Sequence, residues 1–157
     1  MPTIEYSNDN KKRINMTDYR KGFTQRFFVF LNSKKYALLK WDRTIEALTE
    51  EGSDLDILVE RKEINSIIAF AKRQPETLKI KTISKPDVTH LFLMIWGGSV
   101  LQIDLLTSLQ RKEIEYGNQR EILKNTHKVN GVKTYSKKAY FEHVVLFNYL
   151  NLSLIHI

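Results

Sequence analysis

The sequence predicts an α/β (α+β) domain: a small mixed β-sheet with helices packed against one face and an acidic site on the other. Three observations carry this expectation. The run Gly52-Ser53-Asp54-Leu55-Asp56-Ile57-Leu58-Val59 reads as a turn that opens directly into a buried strand. Residues 89–106 read as an apolar hairpin folded about Gly97-Gly98. Residues 63–73 place Ile64, Ile67, Ile68 and Ala71 along one side of a helix that Pro75 ends.

Residues 1–16 are polar, include the basic cluster Lys11-Lys12-Arg13, and read as a disordered tail. Thr17 or Asp18 is placed to cap a helix running to about Ser33, on which Phe23, Phe27, Phe30 and Leu31 recur at helical spacing and form a core stripe. Tyr36 to Lys40 reads as a short strand, and residues 42–51 hold a turn of helix before the acidic strand. Lys79 to Ile83 is a weak strand. Leu91 to Trp96 and Val100 to Leu106 form the hairpin, with Gly97-Gly98 as a two-residue turn of positive φ. Residues 17–106 thus read as a core, and 107–157 as a C-terminal extension of different texture. Within that extension Gly117-Asn118 and Asn130-Gly131 are turn signals, and Asn130-Gly131 joins short strands at 126–129 and 132–135. Ser136 precedes a helical run with Tyr140, Val144 and Phe147 on one face. The final Leu152-Ser153-Leu154-Ile155-His156-Ile157 stops without cap, charge or turn and resembles translated adapter sequence. The expectation is a truncated product, its extension the start of an incomplete helical part.

Composition bounds the function. The 157 residues suffice for a domain with a real core, and 42% hydrophobic with 27% charged residues is ordinary for a globular chain. With no cysteine, disulfides, thiolate zinc sites and cysteine nucleophiles are excluded, and a cytoplasmic location is expected. No apolar run reaches the length of a membrane span. The net charge of +7 favours anionic partners such as nucleotides, but it is spread along the chain and argues for no specific nucleic-acid binding. Gly-Lys-Ser/Thr phosphate loops, dinucleotide fingerprints and nucleophile elbows are absent, and the histidines lack metal-ligand spacing; His90, before an apolar strand, reads as structural.

The carboxylates carry the chemistry. On a strand Asp54 and Asp56 point the same way, while Leu55, Ile57 and Val59 point into the core. Two like charges one strand-step apart are held most naturally by a cation between them, and hard oxygen ligands suit Mg²⁺ or Mn²⁺. The alternative is an Asp-rich turn with a solvated second Asp. Asp104 stands alone in the apolar Val100–Leu106 strand, where burial without a partner would cost several kcal/mol. Beside Asp54 and Asp56 it completes a three-carboxylate cup. The alternative is a core Asp bonded to an amide, a Lys or an Arg.

Asp54-x-Asp56 with its apolar strand, followed by Ile103-Asp104-Leu105, resembles the nucleotidyltransferase superfamily with the DNA polymerase β-like fold. The likeness runs from Tyr36 to Leu106. It is narrower toward uncharacterised nucleotidyltransferase-like proteins of bacterial surface-polysaccharide gene clusters, through Tyr36-Ala37-Leu38-Leu39-Lys40 and the loop to Gly52. The resemblance implies Mg²⁺-dependent transfer of a nucleotidyl group from a nucleoside triphosphate (ATP among them) to a hydroxyl acceptor, with a saccharide-pathway acceptor as one option. Asp54 and Asp56 would hold metal, and Asp104 would complete the site or act as base. Where the superfamily has a Gly-Gly/Ser loop, this chain has Leu39-Lys40-Trp41-Asp42-Arg43. Lys40 or Arg43 would then balance phosphate charge, and Ser53 would bond a phosphate oxygen. The missing loop also fits a catalytically inactive binding module of the same fold. A metal-dependent nuclease built on Asp56, Glu60 and Lys62 is a third alternative, in which Asp56 and Glu60 share one strand.

Overall fold

A computed structural model of the chain describes residues 16–40, 44–50, 54–111 and 113–152, with side chains from residue 19 onward. Helix α1, Met16–Leu31, leads into strand β1, Tyr36–Leu38. Helix α2, Ile45–Leu48, precedes β2, Leu55–Val59. A short 3-10 turn then enters α3, Ile64–Arg73. Three antiparallel strands follow: β3, Thr77–Ser84; β4, Val88–Ile95; β5, Val100–Leu106. The small β6–β7 hairpin, Leu109–Arg111 and Ile114–Gly117, leads to α4, Gln119–Lys124. Strands β8, His127–Val129, and β9, Val132–Thr134, precede α5, Lys137–Leu152.

These strands form a mixed seven-stranded sheet of order β3-β4-β5-β2-β1-β9-β8. It is wider than the small sheet predicted, because β9 adds beside β1 in parallel and brings β8 with it. The pairing of β2 with β5 is also parallel. Phe23, Phe27, Phe28 and Leu31 of α1 are fully or almost fully buried against alternate residues of the strands, among them Leu55, Ile57, Ile103 and Leu105, with Ile67 and Ala71 of α3 completing this layer. Phe23, Phe27 and Leu31 of the expected α1 stripe are therefore core, whereas Phe30 is only partly buried and Phe28 joins the core in addition; the expected cap at Thr17 or Asp18 lies outside the described side chains. Burying each such aromatic stabilises the fold by roughly 1.5–3 kcal/mol relative to exposure.

Helices do not keep to one face, contrary to the sequence expectation. Ile122 and Leu123 of α4 pack with Leu58 and Ala37 on the opposite side of the sheet, and Tyr140 of α5 closes on Tyr135 with ring centroids 5.6 Å apart. The pattern misleads here: α4 is mostly polar, and the many apolar residues of α5 are spread around the helix, so neither announces a single buried face. This second layer covers β1 and the C-terminal end of β2. Leu106 at the end of β5 also packs against it, and beyond that residue the same face of β5, β4 and β3 carries no helix among the described residues. The Asn130-Gly131 turn has φ of 49° and 84°, the paired positive values of a two-residue hairpin turn. The β4–β5 turn differs from its prediction: Ile95 pairs with Ser99, so Trp96, Gly97 and Gly98 all lie in the loop, both glycines keeping positive φ of 93° and 90°. The segment 153–157, and with it the expectation of truncation, lies outside the described residues.

Candidate metal centre

The parallel register sets Asp56 directly opposite Asp104, with Leu55 opposite Ile103 and Ile57 opposite Leu105. The apolar neighbours of both aspartates are buried in the α1–α3 layer, which turns both carboxylates to the other face. Asp54, two residues before Asp56, joins them, and carboxylate oxygens of Asp54, Asp56 and Asp104 all lie within 4.8 Å of one another. The sequence prediction of three carboxylates brought together is met by the geometry. Hard, anionic oxygens at such mutual distances suit a divalent cation of the Mg²⁺ or Mn²⁺ kind, which keeps further positions for water or phosphate.

Each carboxylate has a distinct environment. Asp54 is half-exposed and receives the Lys40 ammonium, with Nζ 3.0 Å from Oδ1; the same ammonium donates to the Asp54 main-chain carbonyl. Lys40 is aimed by its backbone: Leu39 N–H donates to Asp56 O at 2.9 Å, and Thr134 Oγ1 lies 3.0 Å from both Leu38 O and Lys40 O. The lysine expected to meet phosphate thus reaches a carboxylate of the cup.

Asp104 is nearly buried and held from two sides. Its cross-strand partner His90 places Nδ1 2.9 Å from Oδ1, and Gln102, on the same face one strand-step away, places Nε2 3.0 Å from Oδ1 and 3.2 Å from Oδ2. An ionised carboxylate only accepts, so it is the Nδ1–H of His90 that donates to Asp104 Oδ1. His90 and Gln102 are members of the site that sequence reasoning missed. The signal was available: both lie at positions of the same parity as Asp104 once the hairpin register is fixed.

Asp56 lies deepest. Burial pushes its carboxyl up to about 6, and the neighbouring Asp54 and Asp104 charges add to the rise, while Lys40 and His90 oppose it. Burial and two like charges therefore make the central carboxylate harder to ionise, and a bound cation would ease that ionisation.

Arg43 and Ser53, expected to contact phosphate, lie outside the described residues. Glu60 sits at the far end of β2, four residues from Asp56 and so about 13 Å along the strand, where Lys62 at 2.7 Å and Lys35 at 3.6 Å hold it. The carboxylate and lysine of the nuclease alternative do not reach the cup.

Comparison of the chain with protein-family models, with curated proteins and with solved structures gives no match.

Proposed function

We propose that the chain is a Mg²⁺- or Mn²⁺-dependent nucleotidyltransferase that moves a nucleotidyl group from a nucleoside triphosphate to a hydroxyl acceptor. The observation that supports this best is the Asp56–Asp104 register, which brings these two carboxylates together from neighbouring strands, with Asp54 just ahead of β2 joining them on the sheet face away from α1 and α3. Asp54, Asp56 and Asp104 would hold the cation, which supplies charge neutralisation on the triphosphate when bound. The acceptor oxygen forms a bond to the α-phosphorus as the bond from that phosphorus to the β-bridging oxygen breaks, and pyrophosphate leaves. The acceptor proton passes to the Asp104 carboxylate. His90 and Gln102 fix Asp104 so that Oδ2 keeps accepting capacity toward that hydroxyl.

The residues fit the ion by chemistry: the three ligating side chains offer only oxygen and up to three negative charges, and the chain has no cysteine thiolate that would favour a softer metal. One observation favours a second reading. Lys40 and His90 already sit against Asp54 and Asp104 as internal partners, as an inactive binding module would need. Pyrophosphate release separates the two. With Mg²⁺ and a panel of nucleoside triphosphates, water or added polyols serve as acceptor. Release that is lost by at least about 100-fold in Asp56→Asn supports the transferase. Binding of a triphosphate with no metal requirement and no release supports the module.

A further inference from the structure

The sheet face that carries the carboxylates continues, uncovered among the described residues, from β5 across β4 to the edge strand β3. Register fixes what lies on it. His90 stands opposite Asp104, Phe92 opposite Gln102, and Met94 opposite Val100; on the outer side, Lys81 stands opposite Phe92 and Lys79 opposite Met94. Met94 and Val100 are about half exposed, at 46% and 54%, although the opposite face of the same strands is fully buried through Leu91, Leu93, Leu101 and Ile103. Lys79 and Lys81 are exposed and have no ion pair among the described residues.

This face is polarised. Its inner end is acidic, its outer edge is basic, and between them lies an apolar floor. An edge strand gains protection from lysines, and that role alone would be served on either side of β3. Here Lys79 and Lys81 both project to the side that holds the carboxylates, whereas Ile80 between them takes the core side. Two strand spacings and one strand-step put the Lys81 backbone about 12 Å from that of Asp104. A molecule lying on the floor with its hydroxyl at Asp104 would present its far end to the lysines. Only an anionic far end is complementary to that arrangement, because the carboxylates repel it and the ammonium groups attract it. Two lysines match one phosphate and fall short of the extended basic track that single-stranded nucleic acid requires.

We propose that this face is the acceptor subsite, and that the acceptor is a small molecule carrying its own phosphate on an apolar or ring-shaped body. The inference rests on the transferase reading for the role of the site, but its test does not. Phenyl phosphate, a ring joined to a phosphate, is titrated into the full chain with chelator present, and backbone amide shifts are followed by NMR. The expected result is saturable shifts grouped at 79–83, 90–94 and 100–104, weakened about tenfold or more in the Lys79→Glu/Lys81→Glu double variant and in Phe92→Ala. Inorganic phosphate should shift the lysine strand alone, and more weakly.

Both lysines are exposed, so the double variant should keep its thermal midpoint and its response to Mg²⁺. Shifts located elsewhere, or unchanged by the charge reversal, overturn the proposal. So does tighter binding of oligouridylate with a steep salt dependence, which would make the partner a nucleic acid. Loss of the probe with the Mg²⁺ response intact defeats this inference alone. An absent Mg²⁺ response with the probe bound defeats the transferase reading and leaves the phosphate subsite standing.

Discussion

Asp56 and Asp104 are register partners on adjacent parallel strands, and the N–H of Leu39 donates to the carbonyl of Asp56 from the other side. The two carboxylates are therefore placed by the main chain of three strands and not by loops. Such placement is rigid, which a metal centre or an orienting base requires. It also means that like charges are forced together in the folded state whatever the solvent contains.

That forcing makes stability depend on pH in chelator. The Asp56 carboxyl, raised to about 6 by burial and then by Asp54, binds its proton more tightly when folded than when unfolded. Its contribution is fully present below the unfolded carboxyl range and is lost as pH rises through about 6. The loss is expected to be on the order of 2 kcal/mol. Thermal midpoints measured from pH 4 to 8 should fall for the wild type relative to Asp56→Asn. Parallel curves for the two proteins would contradict this account.

Lys40 opposes that rise, so Lys40→Met should move the Asp56 carboxyl higher still and lower stability near neutrality by about 1–2 kcal/mol in chelator. Saturating Mg²⁺ should recover most of the difference. A carboxyl-resolved NMR titration checks the direction; a fall in the Asp56 value would show that Lys40 acts elsewhere.

His90 acts through Asp104. Its Nδ1–H pins one carboxylate oxygen, so His90→Ala should weaken Mn²⁺ affinity about tenfold or more, while His90→Asn, which can still donate, should recover part of it. Calorimetric Mn²⁺ titration of both variants is the test. Equal affinities in His90→Ala and wild type would leave the histidine a purely packing role.

Phe27 is fully buried and lies within ring contact of Phe23, Phe28 and Phe70. Phe27→Ala should destabilise the fold by about 3–5 kcal/mol without altering the order of the carboxylate strands. Urea unfolding provides the number, and a loss well below that range would mean that the α1 layer relaxes around the gap.

Much of this was legible in the chain. The alternation of Asp54, Leu55, Asp56 and Ile57 fixed which residues face the helices, because strand periodicity leaves no choice once one face is apolar. The stripe of α1 and the Asn130-Gly131 turn were legible for the same local reasons. What escaped was non-local. No sequence pattern announces that β5 lies parallel to β2 in the register that faces Asp56 with Asp104, nor that β9 joins β1 and brings α4 and α5 onto the second face. His90 read as structural because its importance arises only from the strand beside it. Lys40 was expected at phosphate, and the structure turns it to Asp54, a contact that depends on where β1 ends against β2.

The central claim is that the three carboxylates converge to hold a divalent cation. Isothermal titration of Mn²⁺ into the chelator-stripped protein tests it most directly, with Asp56→Asn and Asp104→Asn beside the wild type. The account expects saturable binding at one or two sites in the wild type, lost in both folded variants. Heats at the level of dilution, or binding that survives both substitutions, would contradict it.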